Sequence, residues 1–364
     1  MATAKKVRIG FVGAGGMGQA AHLRNYVNVP ECEVVALAEI RPETGKLVAA
    51  RYGIPKLYAD YREMLAKEQL DGVVASQMFD VHAALLPGIY GRVKHVFTEK
   101  PIAVGVEAGA KLAAAARAAG TVHMVGYHKR SDPAVMRARV EIDALKKSGA
   151  LGKLKYVRIT MPAGDWIANG FAGLLNAGDK APAIEREPAI RDLEGADPAK
   201  PVWNWTGPAG EYLRFVNYYI HQVNLMRHLL GEPYAVTFAD RAGVLLAVES
   251  ASGVPGCIEM SPYNTTADWQ ESALVCFDKG WIRIDLPAPL ASNRPGALEI
   301  YRDPGNGATP VRETPTLPFV HAMWQQARNF VAVCRGERTP PCDADEAVED
   351  LRIARAYIRL WKGK

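Results

Sequence analysis

The 364-residue sequence lacks the features that mark several large classes of protein. Its five cysteines contain no CxxC pair, and no signal-peptide core precedes the folded sequence, so we expect neither disulfides nor a metal site and infer a reducing compartment. No uninterrupted apolar run is long enough to cross a bilayer. The 44 basic residues barely outnumber the 39 acidic ones and are scattered, which disfavours nucleic-acid binding. We therefore expect a cytoplasmic protein with no membrane or nucleic-acid partner.

The length and the order of patterns predict two domains, because 364 residues exceed what one hydrophobic core usually serves. Residues 1–126 alternate short β-branched runs with amphipathic segments, which predicts an α/β Rossmann domain with a doubly wound parallel sheet. Residues 127–364 predict an α+β domain built on a mostly antiparallel open sheet. The terminal helix, residues 343–361, is a candidate to pack back on the first domain.

Individual elements follow from the same patterns. A helix should begin at Ser131-Asp132-Pro133, a good N-cap signal, and end at Gly149. Residues 163–208 lack periodicity but contain Trp166, Trp203 and Trp205, which favours an ordered lid. The predicted strands of the first domain are residues 7–13, 33–39, 72–76, 95–100 and 122–127. Those of the second domain lie within residues 155–161, 234–250, 256–261, 272–286 and 297–303.

A glycine-rich loop follows the first strand. Gly13, Gly15 and Gly18 form G-x-G-x-x-G at the opening of a helix, a spacing that permits a tight turn, close approach to a pyrophosphate and close helix packing. The second strand ends at Glu39, where a carboxylate can bind an adenosine ribose. Its charge disfavours a 2′-phosphate, whereas Arg41 could hold one. We predict NAD as cofactor, with NADP possible, and include Gly16 and Met17 among the contacts.

The stretch VFTEKPIAV places Glu99 and Lys100 at the end of a buried strand, directly before Pro101. In a doubly wound sheet this carboxyl edge binds ligands, so Lys100 would lie near the nicotinamide. The alternative is a solvated lysine in a turn.

Taken together, the glycine loop, the EKP motif, the segment VGYHKRSDPA and a histidine-bearing helix near residue 221 resemble the Gfo/Idh/MocA family of oxidoreductases. The resemblance covers nearly the whole chain and implies that residues 127–364 form the domain for substrate binding and oligomerisation. It implies that Lys100 contacts both the substrate hydroxyl and the nicotinamide ribose, and that His221 joins it in catalysis. The aspartate that the family carries four residues before this histidine is Asn217 here, and a later aspartate is Asn224.

Helical spacing puts residues 217, 221 and 224 on one face. A polar stripe of this kind is either a hydrogen-bonded network that stabilises the second domain or part of a substrate site. We predict His221 as catalytic and Asn217 as a substrate contact. Because asparagine cannot take a proton, the Lys-Asp-His arrangement of the family is incomplete.

Other candidates follow the fourth and fifth strands. SQMFDVH replaces the Ala-Thr-Pro-Asn common in the family but keeps a histidine, so Ser76, His82 and Glu99 are predicted cofactor contacts. Tyr127 and Lys129, in the crossover that lines the substrate pocket in relatives, are predicted substrate contacts together with Trp166. Surface exposure would explain Lys129 and Arg130 equally well.

The resemblance implies NAD(P)-dependent oxidation of a secondary hydroxyl on a sugar, sugar derivative or cyclitol by a homodimer or homotetramer. Like charge and partial burial near the nicotinamide would lower the pKa of a lysine, which suits a proton acceptor. One alternative is a redox-neutral enzyme that cleaves glycosides by transient oxidation and elimination with tightly held NAD. Another is a cofactor-binding sensor without catalysis. Fold alone distinguishes none of these.

Overall fold

The computed structural model describes residues 5–187 and 207–362 and divides the chain into two compact units. Unit 1 comprises Met1–Tyr127, Asn169–Leu213 and Met323–Leu351, and unit 2 comprises His128–Ala168, Arg214–Ala322 and Arg352–Lys364. Of the tryptophans expected in the lid, Trp203 and Trp205 lie outside the described residues.

Fourteen strands form two sheets within the described residues. They are β1 Val7–Val12, β2 Cys32–Ala38, β3 Lys56–Tyr58, β4 Gly72–Ala75, β5 His95–Glu99, β6 Val122–Gly126, β7 Leu154–Ala163, β8 Tyr234–Ala239, β9 Leu245–Ser250, β10 Pro255–Asn264, β11 Glu271–Phe277, β12 Gly280–Leu286, β13 Ala297–Arg302 and β14 Val311–Glu313.

The α-helices are α1 Arg24–Tyr26, α2 Pro42–Tyr52, α3 Tyr61–Lys67, α4 His82–Leu85, α5 Val106–Ala118, α6 Pro133–Ser148, α7 Gly207–Tyr218, α8 Ile220–Leu230, α9 Ala322–Cys334 and α10 Ala344–Trp361. A π-helical segment, Gly18–Leu23, leads into α1, and short 3-10 turns cover Phe79–Val81, Leu86–Gly88 and His128–Ser131. No helix in the described part of the chain combines the length and the apolar character needed to cross a membrane.

Unit 1 is built on a six-stranded parallel sheet in the order β3-β2-β1-β4-β5-β6. The strands read as near-continuous apolar runs because helices cover both faces of such a sheet, and β4 and β5 are buried throughout. Phe11, Phe97 and Phe330 meet in its core. The predicted Rossmann fold is confirmed. The short strand β3 was not predicted, since three residues carry too little pattern.

Unit 2 contains an eight-stranded sheet in the order β14-β13-β12-β11-β7-β10-β9-β8. All neighbouring pairs are antiparallel except β7 and β10, which run parallel. Burial alternates strictly along β11, as expected when one face of a sheet packs on a core. The mixed, mostly antiparallel sheet agrees with the prediction, although β14 was missed.

Helix α6 begins and ends where its sequence signals predict. The Asp132 side chain accepts a hydrogen bond from the Ala134 amide at 2.8 Å, and Gly149 ends the helix in the left-handed conformation at φ 66°. Asp132 also accepts the Gly296 amide at 3.1 Å. Because burial outweighs these hydrogen bonds, the pKa of Asp132 is raised to about 6.

Candidate active site

The glycine loop of unit 1 makes a tight turn that only glycine allows. Gly13 adopts φ 83°, and a methyl group there would lie 2.4 Å from Gln77 Nε2. Gln77 donates from this nitrogen to the Val12 carbonyl at 2.6 Å, and Ser76 donates to the Gly13 carbonyl at 3.2 Å. Ser76, predicted as a cofactor contact, thus lies at the loop and holds its backbone. Gln77 was missed, since a lone glutamine carries no sequence signal.

The other two glycines of the motif differ in the space around them. A methyl on Gly18 would lie 2.7 Å from Ser76 Oγ and 3.1 Å from the Gly13 carbonyl oxygen, whereas a methyl on Gly15 would have no described heavy atom within 4 Å. The open space at Gly15 fits the close approach of a pyrophosphate to backbone that the motif serves. The loop therefore fits a dinucleotide.

Gly15→Ala should weaken NADH binding at least about tenfold with little loss of stability, because its methyl would fill the pyrophosphate space without touching the fold. Gly18→Ala should instead destabilise the protein by roughly 1–3 kcal/mol through overpacking. Fluorescence titration and urea unfolding measure the two effects. Gly16→Ala probes a second predicted cofactor contact in the same loop, and it should leave stability nearly unchanged since its methyl meets Phe171 and Leu174 only at ordinary contact, 3.8 Å. Unimpaired NADH binding by Gly15→Ala would show that the pyrophosphate does not bind beside Gly15.

Glu39 and Arg41 lie directly after β2 and form an ion pair with two hydrogen bonds between their side chains. The Glu39 carboxylate accepts the Ala14 amide at 2.7 Å, the Arg41 amide at 3.1 Å and the Arg41 guanidinium at 2.8 and 3.0 Å. The hydrogen bond to Glu39 is the main reason that the pKa of Arg41 is raised. These four bonds fill the acceptor sites of a carboxylate, so ribose hydroxyls can bind Glu39 only when Arg41 turns away.

Glu99 and Lys100 stand at the end of β5, where the EKP motif predicted them. Glu99 is buried, and His22 Nε2 lies 2.7 Å from its Oε1, while the Lys100 amide donates to its Oε2 at 3.1 Å. Burial by itself would raise the pKa of Glu99, but His22 and the nearby Lys100 charge outweigh it and hold the pKa below its ordinary value. The half-buried Lys100 therefore follows an anchored carboxylate at the carboxyl edge of the sheet.

His82 is fully buried at the start of α4, and its Nδ1 lies 3.0 Å from the Ile102 carbonyl oxygen. This contact ties the loop after β4 to the EKP loop two residues beyond Lys100. Burial is the main cause of its lowered pKa, so the ring stays neutral and donates to the carbonyl. His82 Nε2 has no hydrogen-bond partner among the described residues.

The histidine helix predicted near residue 221 is two helices, and residues 214–230, which include all three predicted positions, belong to unit 2. α7 ends at Tyr218 and α8 begins at Ile220. Asn217 is exposed at the end of α7, His221 is half-buried, and Asn224 is buried. The His221 ring meets the His128 ring edge to face at 4.6 Å, and Asn224 accepts a hydrogen bond from Arg130 at 2.6 Å. The three positions therefore differ in burial, from the exposed Asn217 to the buried Asn224.

Lys129 and Arg130 are both buried, so the surface-exposure alternative is wrong. Lys129 Nζ lies 2.6 Å from Glu271 Oε2, and Gln222 Nε2 donates to Glu271 Oε1 at 2.6 Å. Glu271 stands on β11 and gave no sign in the sequence of facing a lysine 142 residues away. This buried pair joins the residues before α6 to α8 and the sheet. Lys129 also lines a small pocket of unit 2 with His128, Asp132, Leu286, Pro287, Ala288, Pro289, Ala291, Arg294 and Ala322.

The remaining predicted contacts, Tyr127 and Trp166, belong to different units. Tyr127 is buried at 2% exposure and is the last residue of the first segment of unit 1. Trp166 is half-buried in unit 2, where its carbonyl accepts the Leu290 amide at 3.3 Å. The lid predicted over residues 163–208 is thus divided, since residues 163–168 belong to unit 2 and residues 169–187 to unit 1.

Residues 169–187, here called the strap, are anchored along the edge of unit 1 at two places near the glycine loop. Gln19 donates to the Leu175 carbonyl at 2.9 Å and accepts the Leu175 amide at 2.9 Å. Asp179 accepts hydrogen bonds at the start of α2. Phe171 and Leu174 face Gly16. The strap therefore lies directly beside the loop that fits the pyrophosphate.

A third anchor holds the far end of the strap. Glu187 accepts the Val104 and Gly105 amides, each at 2.8 Å, at the start of α5, and Arg186 pairs with the buried Asp80 at 2.6 Å. Burial raises the pKa of Glu187 to about 7. No sequence pattern indicated these contacts, because each joins residues more than 80 positions apart.

Comparison with known proteins agrees with the nucleotide site. Residues 7–127 match the profile of the family GFO_IDH_MocA, described as an oxidoreductase family with an NAD-binding Rossmann fold. An inositol 2-dehydrogenase of Rhizobium meliloti is 24% identical over 97% of this chain and 96% of its own length. An inositol 2-dehydrogenase of Acidothermus cellulolyticus is 31% identical over 42% of this chain. That match covers 44% of the length of the relative. The match to an uncharacterized oxidoreductase of Bacillus subtilis also covers 44% of that relative, so this chain spans under half the length of both.

Solved structures share the whole fold. The aldose-aldose oxidoreductase of Caulobacter crescentus, complexed with glycerol, superimposes with a TM-score of 0.67 at 20% identity, covering 99% of this chain and 98% of its own. At this identity the likeness concerns the fold.

Proposed function

We propose that this chain, a member of the Gfo/Idh/MocA oxidoreductase family through its NAD(P)-binding Rossmann domain, oxidises a secondary hydroxyl of a sugar, sugar derivative or cyclitol. The observation that carries the proposal is Lys100, placed at the carboxyl edge of β5 directly after a buried, histidine-bound carboxylate. Two relatives named inositol 2-dehydrogenase support the substrate class. The protein would work in the cytoplasm.

In this proposal Lys100 accepts the proton of the substrate hydroxyl. The NAD(P) that the Rossmann domain would hold would supply the hydride acceptor. Glu99 holds the Lys100 backbone, His22 holds Glu99, and His82 holds the loop at Ile102. These contacts pre-organise the lysine, which lowers the cost of reaching the reactive geometry. His221 is proposed as a second catalytic residue and Asn217 as a substrate contact.

A panel of sugars and cyclitols with NAD and NADP tests the proposal through absorbance at 340 nm. Sustained formation of reduced cofactor with at least one polyol or sugar is the expected result. No reduction with any of them, in a protein that binds NADH, would contradict it.

A redox-neutral glycoside-cleaving enzyme is the second candidate, and the strap favours it. The reciprocal hydrogen bonds of the strap with Gln19, and the position of Phe171 and Leu174 beside Gly16, would slow cofactor exchange, which suits a cofactor that is regenerated in place. Asn217, where the family carries an acid, favours the same reading. Purified protein that retains NAD through gel filtration and cleaves a glycoside without net NADH would decide for this candidate.

Glu39→Ala should raise the ratio of NADP to NAD usage at least about tenfold, because it removes a ribose acceptor, removes a negative charge and releases Arg41. Specificity constants for both cofactors measure the ratio. Glu33→Ala is a matched control, since Glu33 is exposed on the same strand. An unchanged preference would mean that Glu39 does not touch the ribose.

We further propose a homodimer or homotetramer formed through the open face of the unit 2 sheet. Leu274 and the stacked pair Trp281 and Tyr301 are half-buried on this face, and an uncovered sheet face is a common site of association. Light scattering should give a multiple of the chain mass, and Leu274→Arg should shift it toward one chain. Val140→Arg, at an exposed position on α6, is the control. A monomeric wild type at micromolar concentration would refute this assembly.

A further inference from the structure

The start of α2, immediately after the β2 edge that faces the adenosine ribose in this fold, carries a carboxylate from a distant part of the chain. Asp179 accepts the Glu43 amide at 2.9 Å, the Thr44 amide at 3.3 Å and the Thr44 hydroxyl at 2.5 Å. It lies 135 residues from Thr44 in sequence. We propose that Asp179 is a cofactor-specificity residue that excludes the 2′-phosphate of NADP and so selects NAD.

The position of Asp179 is the one that a 2′-phosphate would need. α2 begins at Pro42, only three residues after Glu39, so its first amides stand next to the ribose carboxylate. The first amides of a helix have no partner within the helix, and the helix dipole favours negative charge there. With the Thr44 hydroxyl they make a set of donors suited to a phosphate. Asp179 uses the Glu43 and Thr44 donors of this set itself.

The charges around this position point the same way. Arg41, the residue that could hold a 2′-phosphate, is engaged by Glu39 through two guanidinium hydrogen bonds. A phosphate here would therefore meet two carboxylates, from Glu39 and Asp179, and an arginine that is already paired. Hydrogen bonding from Thr44 is the main reason that the pKa of Asp179 is lowered, so this carboxylate stays charged near neutral pH. The inference rests on the nucleotide-binding part of the proposed function only.

A purely mechanical role for Asp179 as an anchor of the strap makes a different prediction. The strap has other contacts here, since the Ala177 amide donates to the Thr44 hydroxyl oxygen at 3.1 Å and Leu175 pairs with Gln19. Asp179→Asn keeps the size and one acceptor oxygen but removes the charge. A mechanical anchor would affect NADH and NADPH equally in this variant, whereas a specificity residue changes their ratio.

The test is a fluorescence titration of the full chain with NADH and with NADPH, in about 50 mM salt, where charge effects are not screened away. We expect Asp179→Asn and Asp179→Ala to bind NADPH at least about tenfold more tightly than the wild type does. The dissociation constant of NADH should stay within about threefold of the wild-type value. The gain should shrink at about 1 M salt. Glu43→Gln is the matched control, because it removes an exposed carboxylate from the same helix start, and should change the ratio less than about threefold.

An unchanged NADPH to NADH ratio in both Asp179 variants would overturn the proposal, and so would a wild type that binds NADPH more tightly than NADH. Equal weakening of NADH and NADPH binding would mean that Asp179 only anchors the strap, and it would overturn the proposal as well. The titration needs no sugar, so failure to oxidise any polyol would refute the proposed activity and leave this inference standing.

Discussion

A Lys100→Met variant is expected to lose turnover by roughly 10²- to 10⁴-fold while NAD binding is largely kept, the range for removing a positioned acid-base group. Methionine retains much of the length and apolar stem of lysine but cannot take a proton. The Lys100 backbone amide, which donates to Glu99, is unchanged by the substitution. The loss should therefore appear in kcat more than in the dissociation constant of NADH.

Steady-state kinetics with the best substrate of the panel, together with NADH titration, measures the two quantities. Lys94→Met provides the matched control, because Lys94 is exposed directly before the same strand and should keep nearly full activity. His221→Ala should cost less than Lys100→Met or act mainly on KM. A fully active Lys100→Met enzyme would show that Lys100 is an ordinary lysine in a turn and has no catalytic role.

Glu271→Ala is expected to lower the free energy of unfolding by about 3–5 kcal/mol, because it leaves the Lys129 charge buried without its carboxylate. The side chain of Lys129 is 5% exposed and that of Glu271 is 0% exposed, so the charge would remain in the interior after its partner is removed. Lys129→Met should lower the free energy of unfolding by a similar amount, since the Glu271 carboxylate would keep only its hydrogen bond from Gln222. Urea unfolding of each variant measures the change.

Two comparisons make this prediction specific. The double variant Lys129→Met/Glu271→Leu should recover most of the loss, because it removes both charges from the interior. Asp285→Ala, on the neighbouring strand β12, breaks an ion pair with Arg283 whose side chains are 53% and 46% exposed, and should cost about 1 kcal/mol or less. A Glu271→Ala protein as stable as Asp285→Ala would show that Lys129 finds solvent or another partner.

The nucleotide half of the site was predictable because its signals are local. Gly13, Gly15 and Gly18 act through backbone conformation and steric space at fixed spacing, and Glu39 and Lys100 each sit at the end of an apolar run. In a parallel sheet such strand ends meet at one edge. Sequence alone therefore determined the Rossmann fold, the glycine loop and the placement of the EKP motif. It also predicted both ends of α6 through Asp132 and Gly149.

Only the tertiary structure decided the contacts between residues distant in sequence. Asp179 at Thr44, Glu187 at Gly105 and Glu271 at Lys129 each join positions at least 82 residues apart, and no periodicity encodes such pairs. The break between α7 and α8 likewise could not be read from a continuous apolar pattern. Local propensity and spacing determine elements and turns, whereas contacts between side chains distant in sequence depend on how those elements pack.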